Sequence, residues 1–492
     1  MFDKESNIIK LFKFIIIIIG IYYIVSFIFI VWHRIDYPFE LEWMEGGSLI
    51  QIKRISAGLK FYTAPSIDFI PAIYTPLYYY VSLISCYIFG FHFFSIRLVS
   101  FISSILILIV LYFICLCLLK NKFYSFICVS FFIASFKAAG AWLDIGRVDS
   151  LAYFFLVTGM FFLIKSNSIP SMILSPIFFL LSYFTKQSNL IFVLFVFIYL
   201  YFENRKIFLP YFLFFIILTL SVHLYFDSIN EGWFSYYTLV LSNSLETKYN
   251  KLLTFWLNDL IKNFPIAILS FIIFFNISKG SSKLFNRNYF ILLLGFIVIS
   301  YLPRIKIGGY DNALIPAFIG ISIFSSISFK FLEDILTNNY KKLIYVSIIV
   351  QLAILYYPIK PQIPSIRDLE TGKNLIEKIK SFKDDIFFPD HPYYLLLANK
   401  NPQAQTMAVS DFLYSNTQLP IKKKMLNDLS NKIKNKKYDA LIFDRNDFLL
   451  KIMEKEIKQS YILIDDNLSG DYFIPVVGGP NKPTYLFVKK PQ

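Results

Sequence analysis

Three glutamates fall within six residues in Asp36-Tyr-Pro-Phe-Glu40-Leu-Glu42-Trp-Met-Glu45-Gly-Gly, directly after the first long apolar run of the chain. A carboxylate held at a bilayer surface is costly unless it is solvated, paired or used. Glu40, Glu42 and Glu45 are therefore the first candidates for a chemical role. Further on, Arg97, Asp144-Ile-Gly-Arg147-Val-Asp149, Thr185-Lys186-Gln187 and Arg304-Ile-Lys306-Ile-Gly-Gly-Tyr310-Asp311 place acids and bases at the ends of other apolar runs. Such carboxylates take a proton from an attacking hydroxyl, and arginine or lysine neutralises a departing oxyanion. That combination suits transfer of a group from a phosphate carrier to a hydroxyl.

The elements that must position these groups are membrane spans. Of 492 residues, 56% are hydrophobic and only 16% charged, more apolar than a soluble domain needs for its core. Runs long enough to cross ~30 Å of hydrocarbon recur from Leu11 to Pro358. The first, Phe14 to Trp32, is too long and lacks the small-residue exit of a cleavable signal, so it reads as an uncleaved span. The formal charge of +15 is dispersed between apolar runs, which points to positive-inside topology and against a nucleic-acid partner. Cys86, Cys115, Cys117 and Cys128 all sit in apolar segments, which implies no disulfide framework and no metal-binding pair. His33, His92, His223 and His391 lack metal spacing and read as structural, and Trp32, Trp43, Trp142 and Trp233 read as interfacial anchors.

Basic loops at Lys120-Asn-Lys122, Lys165, Arg205-Lys206, 279–287 and 330–342 are expected on the cytoplasmic side. With the N-terminus inside, they fix spans near 11–32, 95–119, 123–141, 150–164, 169–185, 188–202, 207–226, 263–277, 289–302, 314–329 and 343–357. This gives about eleven crossings, with residues 33–94 and the C-terminus on the extracytoplasmic side. The apolar stretch Pro76 to Gly90 is short for a crossing and reads as a re-entrant or interfacial helix, a role its tyrosines suit. Past residue 358 the chain turns polar. Helical spacing from Arg367 to Phe382 and from Leu419 to Ile433, with strand signals at Asp385 to Pro389 and Tyr438 to Asp444, predicts a small α/β domain over 358–492 beyond a membrane part over 1–357.

This topology gathers every polar motif named above on the outer face, where a lipid carrier reaches the site laterally from the bilayer. Transfer of a sugar from a polyprenyl phosphate requires such a site: a glutamate of the first loop takes the acceptor proton, and Arg147, Lys186, Arg304 or Lys306 holds the phosphate. For each residue alone, a solvated loop charge is the competing reading.

The order of motifs resembles the GT-C glycosyltransferases of the protein O-mannosyltransferase and lipid A aminoarabinose transferase type. The resembling pieces are Glu42-Trp-Met-Glu45-Gly, Gly58-Leu-Lys-Phe-Tyr62, Tyr74-Thr-Pro76-Leu-Tyr78-Tyr79, Phe94-Ser-Ile-Arg97-Leu and Arg147-Val-Asp149-Ser-Leu, spread over about residues 10–205. The resemblance implies a polytopic helical fold with juxtamembrane helices in the first outer loop, an acidic pair there, and a further acid in the second outer loop. Aligned on the following glycine, Glu45 matches the family glutamate, while the preceding family aspartate falls on Met44, which leaves Glu42 as a second candidate for the base. The family's His-Pro-Pro reads Tyr74-Thr75-Pro76. Some relatives hold a divalent metal on outer-loop acids; Asp144 and Asp149 with a glutamate are the residues for it here, and a salt bridge to Arg147 is the competing use.

The resemblance implies a sugar transferase of the cytoplasmic (inner) membrane, with a polyprenyl-phosphate sugar as donor, a glycan, lipid or protein as acceptor, and membrane lipids around it. Glu40, Glu42 and Glu45 are its catalytic candidates, and Arg97, Asp144, Arg147, Asp149, Lys186, Arg304, Lys306 and Asp311 its binding candidates. A lipid or polysaccharide flippase is the alternative of another class, although its charges belong along a midplane path rather than at span ends. A catalytically inactive relative that scaffolds a partner is the third reading.

Overall fold

In the computed structural model, residues 7–165, 169–277, 288–415 and 420–491 are described. Lys4 and the basic loop 279–287 lie outside them. Each of the predicted spans overlaps a helix, because runs of Ile, Leu and Phe satisfy their backbone only internally when water is absent. Among the described residues, by length and composition alone, four helices can cross a membrane: Asn7–Arg34, Phe93–Leu119, Arg205–Ile229 and Asp311–Ile335. A fifth crossing is counted if the pair Lys251–Ile261 and Pro265–Ile277, bent by 92°, is taken as one span. The remaining apolar helices are shorter, including Leu77–Phe89 in the stretch expected to be re-entrant or interfacial and Lys122–Ala134, which ends before the predicted 141. There Gly140 and Ala141 turn the chain with φ of +76° and +58°.

The helices differ in how much protein surrounds them. Helix Arg205–Ile229 is 17% buried over its apolar window, and Ile217 and Leu224 stand exposed on it, as do Phe14 and Trp32 on the first helix. Faces of this kind belong against lipid, and the chain is a membrane protein. Helix Ile315–Ile335, by contrast, lies in a window that is 94% buried. Its Ser322, Ser325, Ser326 and Ser328 are buried, small enough to let Phe-rich neighbours close on it. The four cysteines are free.

The C-terminal part carries a sheet ordered β1-β2-β4-β3. Strand β1 (Ile386–Phe387) pairs parallel with β2 (Ala440–Asp444), while β4 (Pro483–Lys489) is antiparallel to both β2 and β3 (Tyr461–Asp465). Strand β2 is buried throughout, as its run of Ala, Leu, Ile and Phe demands. Helix Ile366–Ser381 begins in a capping box, Ser365 with Asp368, and helix Pro420–Lys434 covers the sheet with Met425, Leu429 and Ile433. This layer is packed on the first loop. The amide of Val477 donates to the Leu41 carbonyl at 3.0 Å, that of Ala404 to Ile67 at 3.0 Å, and the Tyr393 hydroxyl to Phe91 at 2.8 Å.

Candidate active site

The first loop is held by one arginine. Arg97, fully buried near the start of helix Phe93–Leu119, donates to the carbonyls of Arg34, Ile35, Tyr37 and Phe39 and forks onto Glu45 at 3.0 and 2.7 Å. Glu45 opens helix Glu45–Ser56, where the helix end favours negative charge. It also accepts the amides of Leu41 at 2.8 Å and Gly146 at 2.7 Å. Glycine at 146 leaves room for this contact: a Cβ there would lie 2.4 Å from the Ile96 side chain, which would have to shift, and 3.2 Å from the Glu45 carboxylate. Burial pushes the Glu45 carboxyl up, but Arg97 and the two amides outweigh it and hold it below the ordinary carboxylate range.

Glu42, three residues earlier, is held quite differently. It lines a cavity of about 100 Å³ together with Tyr74, Trp142, Arg147, Tyr310 and Asp411. Its side-chain partner is Arg147, at 3.3 Å. Burial pushes its carboxyl up to about 8, with Arg147 pulling the other way. Arg147 lies over the Tyr74 ring, 5.6 Å from the centroid. Asp411 comes from helix Thr406–Tyr414 of the C-terminal layer. Burial pushes it up to about 7 against the pull of Arg147. The cavity thus holds two acids of raised pKa around one guanidinium, an arrangement for moving a proton beside a developing negative charge.

The other sequence candidates sit behind or beside this cavity. Lys186 donates to Asp149 at 2.6 Å and to the Tyr153 hydroxyl at 2.9 Å. Asn312, in the cavity wall, donates to the same Asp149 oxygen at 3.2 Å. Asp144 is buried against Arg34, which forks onto it. Arg304 forks onto Asp259 at 2.7 and 3.0 Å and pairs with Asp311 at 2.8 Å. Lys306 donates to the Leu245 carbonyl at 2.7 Å, within a short pairing of 246–248 with 305–307. Glu40 accepts from His391, which also contacts Asp444 at 3.3 Å. Burial lowers the His391 pKa, but Asp444 and Glu40 outweigh it and hold the ring well above its ordinary value. Lys186, Arg304 and Lys306, expected to converge on a phosphate in a cavity shared with Glu42, are instead engaged by carboxylates or a carbonyl, and none of them lines that cavity. Gly308, with φ of +79°, makes a tight turn, and the Gly309 carbonyl accepts from Arg304 at 3.2 Å.

Asp411, Arg34 and the role of His391 were not singled out by sequence reasoning. For Asp411 a signal exists: an acid between Val409 and Phe412 on the buried side of a short helix. Trp43 and Trp142, expected as interfacial anchors, are buried. The residues expected to hold a divalent metal do not fit one. Asp144 and Asp149 are neutralised by Arg34 and Lys186, and no group of three or more His, Cys, Asp or Glu able to hold a metal occurs among the described residues.

No family model and no curated protein matches the chain. Among solved structures, ArnT from Cupriavidus metallidurans bound to undecaprenyl phosphate is similar with a TM-score of 0.57 at 10% identity, over 96% of this chain and 99% of that chain. The archaeal oligosaccharyltransferase AglB from Archaeoglobus fulgidus, in complex with an inhibitory peptide and a dolichol-phosphate, is similar with a TM-score of 0.52 at 12% identity, over 89% of this chain and 70% of that chain. Both are GT-C glycosyltransferases, so the fold is of the GT-C kind. The likeness reaches beyond the 10–205 region where the motifs resemble that family and takes in nearly the whole chain.

Proposed function

We propose that the chain transfers a sugar from a polyprenyl-phosphate-linked donor to an acceptor hydroxyl at the outer face of the cytoplasmic membrane. The observation that carries this reading is the pairing of Glu42 with Arg147 at one cavity, within a fold shared with lipid-phosphate-bound glycosyltransferases. Glu42 takes the proton as the acceptor oxygen attacks the anomeric carbon. The bond from that carbon to the phosphate oxygen breaks, its electron pair leaves on the phosphate, and Arg147 neutralises the charge. Attack opposite to departure inverts the anomeric centre. Asp411 and Asn312 face the same cavity and are placed to hold donor hydroxyls.

Residues 1–357 form the catalytic membrane part in this reading, and 358–492 an extracytoplasmic α/β domain that contributes Asp411. The cavity of about 100 Å³ is well below the ~300–1,000 Å³ of small-molecule sites, so its walls must part to admit a sugar. The test is transfer by purified protein from a polyprenyl-phosphate sugar. Activity that is lost in Glu42→Gln supports the reading, and full turnover in that variant removes Glu42 as the base. Cysteine labelling at Ser66 and Asn121 tests the sidedness: reagent outside the cell must reach position 66 and must fail to reach position 121.

A further inference from the structure

Glu40, the first of the three loop glutamates, is buried and has no place in the wall of the Glu42 cavity. Its partner comes from the far end of the chain. Nδ1 of His391 meets the Glu40 carboxylate of the first loop, and Nε2 meets Asp444 of β2 at 3.3 Å. The buried ring stacks on Tyr394, with centroids 5.2 Å apart and planes 4° off parallel, and meets Phe388 edge-on at 5.4 Å. Packing and hydrogen bonds therefore fix its orientation together. Asp390 accepts the Asp444 amide at 2.9 Å, which anchors the far acceptor of the ring in the sheet.

The C-terminal layer grips each residue of this stretch of the loop. The Glu40 amide donates to the Tyr394 hydroxyl at 3.3 Å, and the Leu41 carbonyl accepts from the Val477 amide at 3.0 Å. Gly478, with φ of +81°, lies against the stem of Glu42, where a Cβ would be 3.3 Å from Glu42 Cγ. Glycine at 46 leaves room for the Glu40 carboxylate and for Tyr393, which a Cβ there would meet at 2.2 and 2.6 Å. The contact of Glu42 with Arg147, at 3.3 Å, is at the long end for a hydrogen bond and does not place the carboxylate by itself. Its placement depends on the backbone beneath it.

We propose that Glu40 and His391 are a positioning pair, through which the C-terminal layer holds residues 40–42 so that the Glu42 carboxylate faces Arg147 and the cavity. The consequence for transfer rests on the reading given above; the grip on the loop does not. In this assignment Glu40 is not the base, and the C-terminal layer is an integral part of the site. A reacting group displaced by about 1 Å loses on the order of a hundredfold in rate, and such a displacement is what the pair prevents.

Alanine and glutamine at position 40 separate the roles, because both remove the charge and only glutamine keeps an acceptor for the His391 ring. In transfer assays on the full-length protein in detergent, Glu40→Ala should lower kcat roughly ten- to a hundredfold, and Glu40→Gln should restore it to within about threefold of wild type. The pH profile tells mispositioning from a smaller folded fraction. Glu42 is faced by Arg147, Glu45 and Glu40, with Asp411 in the same cavity. Once the grip is lost its carboxyl leaves the buried setting, so the ascending limb of kcat/KM should lie at lower pH in Glu40→Ala than in Glu40→Gln. A smaller folded fraction scales the whole profile and moves no limb. Hydrogen exchange read by mass spectrometry is the arm independent of activity: amides of 39–45 should exchange roughly tenfold faster in Glu40→Ala and in His391→Gln, with helix Phe93–Leu119 unaltered. A loss of ~10²–10⁴ in Glu40→Gln makes Glu40 the base and overturns the proposal. Limbs that coincide in the alanine and glutamine variants, or wild-type exchange of 39–45 in both Glu40→Ala and His391→Gln, overturn it as well. If Glu40→Ala does not fold, the kinetics of Glu40→Gln and the exchange of His391→Gln decide. Accelerated exchange in a protein that transfers nothing from any polyprenyl-phosphate sugar leaves the grip standing and overturns the transferase reading instead.

Discussion

Glu42 and Glu45 sit three residues apart in one loop, both buried, and the protein treats them in opposite ways. Glu45 is saturated: two arginine nitrogens and two backbone amides fill its lone pairs, and its charge is fixed. Glu42 has one arginine contact at 3.3 Å and a place at a cavity wall. A carboxylate whose acceptor sites are all used is a structural joint, because removing a proton from another molecule requires a lone pair that is free to take it. A carboxylate that burial has made basic, and that keeps a lone pair open to a cavity, is suited to proton transfer.

Exchanging the glutamates for glutamine is the sharpest way to break the comparison. Glu42→Gln should lower transfer by ~10²–10⁴, the worth of a general base, with no loss of thermal stability at neutral pH. A variant that turned over normally would make the two glutamates equivalent and end the assignment. Glu45→Gln and Arg97→Met should act on the fold instead. Each leaves a buried charge without its partner, a loss of about 3–5 kcal/mol, visible as a lowered unfolding midpoint, with residual activity tracking the folded fraction.

Arg147 is the next point of attack, because it pairs with Glu42 and the proposed transfer has it neutralise the leaving phosphate. Arg147→Gln removes charge-assisted hydrogen bonds worth about 1.5–3 kcal/mol, so the donor KM should rise roughly ten- to a hundredfold in steady-state assays. Arg304→Gln, whose partners are Asp259 and Asp311 outside the cavity, should leave the donor KM nearly unchanged. A large effect there would restore the phosphate role to Arg304.

The sequence made one half of this contrast readable. Apolar runs announced the helices, because a span must be apolar along its whole length whatever it packs against. The acid cluster announced a site, because charge beside a membrane needs a reason. What separates Glu42 from Glu45 is supplied by Arg97, Gly146 and Arg147, which the fold brings from other loops and helices. No local pattern encodes that convergence. Asp411 was further from view, since it arrives from the sheet layer, whose docking on the first loop runs through contacts such as Val477 to Leu41 and His391 to Glu40. Even span ends proved local events: helix Lys122–Ala134 gives way at Ser135 to a run of turns that ends in the left-handed pair Gly140 and Ala141, which an apolar window does not register.

The raised Glu42 pKa also sharpens the comparison through pH. The base works ionised, so kcat/KM should climb by about tenfold per pH unit and level near pH 8, whereas a site run by an ordinary carboxylate would be flat across that range. A fixed ascending limb in Glu42→Gln would assign the titration to another group.

Stability should respond in the opposite sense and more weakly. The folded protein holds Glu42 protonated up to about pH 8, while the unfolded chain releases that proton near 4.5. Between those values the unfolded state binds fewer protons at this position, so its contribution to stability, full below about pH 4.5, is lost as pH rises to 8. Glutamine has no proton to lose. The unfolding midpoint of Glu42→Gln should therefore match the wild type in acid and exceed it at pH 9, measured in the same detergent. Glu45, held below the ordinary range, has the reverse linkage: its stabilisation is complete above the unfolded value and fades only as acid protonates it. A Glu42→Gln variant that lost stability at alkaline pH, as Glu45→Gln should, would show that the Arg147 pair outweighs burial and that Glu42 is a structural joint as well.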